Sequence, residues 1–361
     1  MGSLQFFGLS ATIFAYLSVF LVSLLFLLYF LYMRKLRINN FIKINLVFAV
    51  VIIISFLYND SDIYGLIYYL GYVFIPIFIY LLVYRIKSEV NFEKLIRVVV
   101  IVQIPVLLLQ FIFPNYISYS TESISEIDRM FGTFPLKSDH FVGFFMLSNI
   151  FFLMIKQSKS VVDYVFLILS IIAIILLNSM SSKVLLVLLI AYYLFVFSDL
   201  RLKIILIFIS FIFAISSYFI VVGNPSLLPD LLKFTDISRI SEGDATRFQT
   251  LYYFVSNKLM ILGNGPASYF NPLVGEFTFN ANFSQIIWSY YDLGIIGLFI
   301  VFLLPFSFYT MFQINNKIKR ALLFLFFIFC FFTTLLDQIA FLLTLNIFAV
   351  MFEQRDKEIR I

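Results

Sequence analysis

The sequence predicts an all-α fold, a polytopic membrane helix bundle of about eleven spans, with ten to twelve as the range. Three observations predict it. Hydrophobic residues fill 62% of the 361 positions and charged residues only 12%, against roughly half and one quarter in soluble domains. The mean hydropathy is +1.03. The apolar residues come in continuous runs, not in the alternation of a transmembrane strand. Together these exclude a soluble enzyme, a disordered scaffold and a nucleic-acid binder. The net charge of +5 reflects basic loops held on one side of a membrane, not a nucleic-acid partner. One Cys (Cys330) and one His (His140) exclude an internal disulfide and argue against a metal site.

Polar punctuation divides the chain into candidate spans at 10–33, 41–58, 64–84, 95–113, 138–155, 162–178, 184–198, 204–222, 283–312, 320–336 and 339–353. The apolar run from Leu4 to Met33 has no basic residue before it and is followed by Arg34, Lys35 and Arg37. It reads as a retained anchor, not a cleaved signal. The stretch 320–353 reads equally as a kinked hairpin or as one long helix with a re-entrant turn. No internal repeat is visible, and 1–361 reads as a single integral membrane domain.

Charge fixes the expected orientation. With Arg34–Arg37 cytoplasmic and each span crossing once, 18 of the 25 basic residues fall inside. The 7 outside are Arg129, Lys137, Lys183, Lys233, Arg239, Arg247 and Lys258. Acidic residues divide 7 inside and 12 outside, with Asp292 in a span, completing the 20. Retention of Lys and Arg on the cytoplasmic side produces this alternation. Two long loops, 114–137 and 223–282, then face outward, and all inner connections are short. Long loops on a helical bundle carry function.

In the larger loop, Phe248, Leu251, Tyr252, Val255 and Leu259 form one helical stripe between Ala245 and Met260. Asp244 can cap its start and Gly263-Asn264-Gly265-Pro266 stops it. This predicts an amphipathic helix lying at the membrane surface, with Arg247 and Lys258 beside its apolar face. Lys258 reads as a snorkelling interfacial residue. Arg247 sits near the positive end of the helix dipole, where a cation is disfavoured unless an anion joins it. In the smaller loop, Arg129 and Lys137 are further cations, although Glu122, Glu126 and Asp128 are available to pair with Arg129. Lys183 follows the polar break Ser179-Met180-Ser181-Ser182 between two apolar spans. A cation there would cost roughly 3 kcal/mol at the bilayer centre and less near the interface, so it calls for a partner anion. Convergence of Arg129, Lys183 and Arg247, with Lys137 or Arg239, would make an anion pocket suited to a pyrophosphate. Each charge-assisted hydrogen bond in it would contribute about 1.5–3 kcal/mol.

The order of several short motifs resembles the O-antigen polymerase and ligase superfamily of bacterial membrane glycosyltransferases. Arg129-Met130-Phe131-Gly132-Thr133-Phe134 resembles that family's Arg-x-x-Gly-Thr-Phe segment, and Ser182-Lys183 stands where a Ser-Arg is frequent. Arg247 followed by Gly263-Asn264-Gly265 resembles the long-loop Arg and Gly-x-Gly, and Asp292-Leu293-Gly294-Ile295-Ile296-Gly297 resembles the acidic-x-Gly-Ile-Ile-Gly opening the next span. The resemblance covers roughly residues 125–310. Ligases of this superfamily have a His-Asn near the end of the long loop, whereas this chain has Asn280-Ala281-Asn282. The chain is therefore more similar to the polymerases.

The resemblance implies a GT-C-like fold in the bacterial inner (cytoplasmic) membrane, with the active site on the periplasmic side. It implies transfer of a growing glycan from undecaprenyl pyrophosphate onto an incoming lipid-linked repeat unit, with neither cofactor nor metal. The partners would be the undecaprenyl-pyrophosphate-linked oligosaccharide, membrane lipids, and a chain-length regulator and flippase of the same pathway. Arg247 and Arg129 would be catalytic, binding the diphosphate with Lys183, Lys137 and Arg239 and stabilising its departure. The proton acceptor would come from Asp139, His140, Glu242, Asp244 or Asp292. Asp292 may equally serve to pair a cation structurally. Sugar recognition would fall to Asn280, Asn282, Tyr269 and Trp288, with Tyr116, Tyr119 and Asn271 beside them. A ligase, or a flippase or transporter of the lipid-linked glycan, is the alternative.

Overall fold

The computed structural model describes residues 39–112, 132–133, 139–156, 158–177, 179–197, 260–271, 276–277, 284–332 and 339–360, with positions 21, 24, 25 and 28 of the first candidate span. Nine helices are defined among the described residues. They are α1 (Asn40–Asn59), α2 (Ile63–Ile86), α3 (Phe92–Ile112), α4 (Asp139–Ile155), α5 (Val161–Leu176), α6 (Met180–Phe197), α7 (Gln285–Thr310), α8 (Asn316–Phe332) and α9 (Ile339–Arg360). A two-residue strand pair, β1 (Phe270–Asn271) and β2 (Glu276–Phe277), is antiparallel. α1, α2, α3 and α7 are long and apolar enough to cross a membrane. Eight of the candidate spans coincide with these helices to within four residues at each end, α9 runs seven residues past the expected 353, and 320–353 is two separate helices, α8 and α9. The candidates 10–33 and 204–222 lie outside the described residues, apart from four positions of the first.

Exposed faces of the helices remain apolar, as Val47, Val50 and Leu57 on α1 and Val98, Ile101 and Leu108 on α3 illustrate. A surface of that kind suits lipid contact. The interior is aromatic: Phe41, Tyr69, Tyr72, Phe144, Phe308 and Phe326 are all buried. α1 packs on α2 and α7, α4 on α5 and α6, α3 on α5, and α9 on α2 and α4.

The ion pairs among the described residues gather at one end. There Arg97 bonds both Asp163 (2.9 Å) and Glu93, and Lys156 Nζ reaches Glu93 at 2.8 Å and Asp163 at 3.0 Å. Asp163 also closes a capping box with Ser160 at the start of α5. The ends of α3, α4 and α5 are thereby tied together. Lys317 at the start of α8 faces the Phe197 ring at the end of α6. Lys183 and His140 belong to the opposite end, where α4 and α6 begin.

Helix α7 is broken at Gly294, whose φ of 67° and ψ of −158° are accessible essentially to glycine alone. The break frees backbone groups that lipid could not satisfy, and the segment from Met260 to Gly265 satisfies them. Asn264 and Gly265 donate their N–H groups to the carbonyls of Tyr291 and Asp292, each at 2.9 Å. Met260 and Ile261 accept from Ile295 (2.9 Å) and Ile296 (3.4 Å). A Cβ at Gly294 would collide with the carbonyls of Ile261 and Met260, and one at Gly263 with the backbone of Asp292. Gly294→Ala should therefore lower stability by about 2–4 kcal/mol from strain and displacement of the segment. The midpoint of thermal unfolding in detergent checks this, and an unchanged midpoint would refute the docking.

Candidate functional site

His140 on α4 meets the serines that open α6, Ser179 and Ser181, where the two helices begin side by side. Their close approach depends on small residues: a Cβ at Gly143 would strike Ser182 Oγ. His140 Nδ1 lies 3.2 Å from Ser179 Oγ and 3.3 Å from Ser181 Oγ. The two serine oxygens are 2.9 Å apart, and Ser182 Oγ donates to Ser179 Oγ at 3.0 Å. Lys183 follows directly, half-buried, with no carboxylate partner among the described residues. Serines here interrupt the hydrophobic runs because their side chains compete for backbone bonds and favour helix starts. Two helix N-termini, with the Lys183 ammonium on the first turn of one of them, give this end a positive potential. Chemically the group can hold an anion and can exchange a proton at His140. Asp139 opens α4, and its side chain is outside the described residues, as are Arg129, Lys137, Arg239, Arg247, Asn280 and Asn282.

A second feature explains Gly132-Thr133. Gln110 Nε2 donates to the Gly132 carbonyl at 3.0 Å, and its Oε1 accepts from the Gly132 N–H at 2.8 Å. Gln103 Oε1 accepts the Thr133 N–H at 2.9 Å, and its Nε2 donates to Thr133 Oγ1 at 2.5 Å. Both glutamines are buried and stand seven residues apart on one face of α3. The irregular backbone at 132–133 is thus satisfied by side chains beside a membrane-length helix. Gly132 is required twice, by a φ of +62° and by the Gln103 amide where a Cβ would be.

Asp292 anchors the segment after Gly265. Its Oδ2 accepts from Tyr69 Oη (2.6 Å), Trp288 Nε1 (2.7 Å) and the Ala267 N–H (3.1 Å). Its Oδ1 accepts from the Tyr269 N–H (2.7 Å) and Ser268 Oγ (2.9 Å). All five donors are neutral, so among the described residues Asp292 pairs with no cation. Tyr269 and Trp288, expected at a sugar site, lie in this interior at 0% and 2% exposure. Trp288 stacks on Tyr68 at 6.1 Å and meets Tyr69 and Tyr72 edge-on. Their burial leaves neither ring an open face for a saccharide.

Gln103 and Gln110 escaped the sequence reading, although two amides seven apart in an apolar span were a visible signal, since each is costly there without a partner. The same logic applied to Ser55, whose Oγ bonds the Leu262 carbonyl at 2.8 Å. No family model matches the chain, and no curated protein matches it.

Proposed function

We propose that the protein is a membrane-embedded glycosyltransferase that polymerises lipid-linked repeat units, releasing undecaprenyl pyrophosphate, in the manner of the O-antigen polymerases. In this proposal the chain crosses a bacterial inner membrane about eleven times, with the end bearing Lys183 on the periplasmic side. The observation that carries it is the cluster of His140, Ser179–Ser182 and Lys183 at the paired starts of α4 and α6, at the end opposite the ionic network. That cluster suits a diphosphate. Docking of Gly132 on Gln110 supports delivery of Arg129, and the pinned segment after Met260 supports delivery of Arg247. Both arginines would bind the diphosphate and stabilise it as it leaves, and the acceptor hydroxyl would pass its proton to His140 or Asp139.

The broken α7 with a buried carboxylate is what a transporter would also require. In a transporter the freed groups face the cargo, whereas here residues 260–269 of the same chain occupy them. Polymerisation is favoured for that reason. A ligase is distinguished by phenotype: a polymerase-null strain leaves a single repeat unit on lipid A core, and a ligase-null strain leaves none.

Lys183→Ala, Arg129→Ala and Arg247→Ala should each reduce polymer by about tenfold or more while the protein still accumulates, since each removes a charge-assisted contact. Electrophoresis of the surface polysaccharide reads this. Normal chain lengths in all three variants would remove the diphosphate site.

A further inference from the structure

The charged end of the bundle holds an open cavity of about 400 Å³ between the turn joining α2 to α3 and the last turns of α9. Its lining includes Lys87, Glu89, Glu93, Phe152, Gln354 and Arg355. We propose that this cavity binds a phosphate group through Arg355 and Lys87. It is remote from the diphosphate site proposed above and does not depend on it.

Arg355 carries the inference. Its guanidinium lies 5.5 Å over the Phe152 ring, which holds it against the cavity wall. Its Nε is shielded from solvent and has no acceptor among the described residues. A guanidinium has only donors, and a buried one left unsatisfied is unfavourable. A phosphate oxygen is the acceptor that its planar fork fits best. Lys87 is held on the same side: its Nζ sits 3.6 Å from the Tyr84 ring centroid, and its carbonyl accepts from Gln354 Nε2 at 3.1 Å. Its pairing with Glu353 is long, at 3.8 Å, so ammonium donors remain for a ligand.

Two of the acidic neighbours are engaged by other partners. Glu93 is held by Arg97 and Lys156, and Glu353 accepts from the Gln313 N–H at 3.2 Å besides facing Lys87. Glu89 is exposed. Of the charged residues that line the cavity, Lys87 and Arg355 stand against Glu89 and the already engaged Glu93. The volume is within the roughly 300–1,000 Å³ of small-molecule pockets. Cationic side chains at helix ends take phosphate either from anionic lipid headgroups or from soluble phosphates.

The test uses the full chain in nanodiscs of phosphatidylcholine alone or with phosphatidylglycerol, with bound lipid counted by native mass spectrometry, and inorganic phosphate titrated separately by calorimetry. Retention of phosphatidylglycerol by the wild type, weakened about tenfold or more in Arg355→Ala and again by Lys87→Ala, supports a lipid headgroup. Saturable phosphate binding with the same sensitivity, and no lipid retention, supports a soluble phosphate. Arg355→Lys keeps the charge and should lose less, and Arg320→Ala at an exposed position should change nothing. If the wild type binds neither probe, or Arg355→Ala binds as well as Arg320→Ala, the proposal is overturned; the wild-type result stands even if a variant misfolds.

Discussion

Asp292→Ala is expected to destabilise the protein by about 3–5 kcal/mol, the largest single effect among the described residues. The carboxylate gathers five donors from three stretches of chain: Tyr69 on α2, Ala267 to Tyr269 after the loop, and Trp288 on its own helix. Truncation leaves all five facing one another in the interior, where water cannot replace the acceptor. Asp292→Asn separates architecture from chemistry. Its amide keeps one acceptor oxygen and turns the other position into a donor among donors, so an intermediate loss of stability follows. If Asp292 were instead the proton acceptor of the reaction, Asp292→Asn would abolish product with the thermal midpoint unchanged. That outcome would sink the structural role.

Gln110→Leu should release the 132–133 segment, with Gln103→Leu adding to the effect. A leucine leaves the Gly132 N–H and carbonyl without partners, at about 1–3 kcal/mol each while they stay buried. The segment can escape that penalty by undocking into water. Exposure of the region between α3 and α4 should therefore rise more than global stability falls. Limited proteolysis reads the first and thermal unfolding the second. On the proposed function, polymer length should collapse in the same variants because Arg129 loses its anchor three residues away. Cleavage rates equal to wild type in the double variant would show that the glutamines do not hold the loop.

The motifs themselves were legible as spacing but not as mechanism. Gly132 is a glycine because a glutamine amide occupies the place of its side chain, and Gly294 because a helix breaks there to meet a loop. Neither partner is near in sequence. Trp288 and Tyr269 illustrate the converse. As aromatic residues near predicted loop ends they suited a saccharide, yet the carboxylate of Asp292 draws the indole N–H and the Tyr269 backbone N–H inward.

Residue chemistry alone determined that this chain is a helical membrane protein and where most described helices begin and end. Hydropathy and charge act locally along the chain, and lipid imposes helix on any apolar run that enters it. Tertiary structure decided which polar groups meet, since His140 reaches Ser179 and Ser181 only through the packing of α4 on α6. It also decided which polar groups are spent on architecture. In an apolar interior each buried donor must find an acceptor wherever the fold places one, and sequence distance carries no record of that choice.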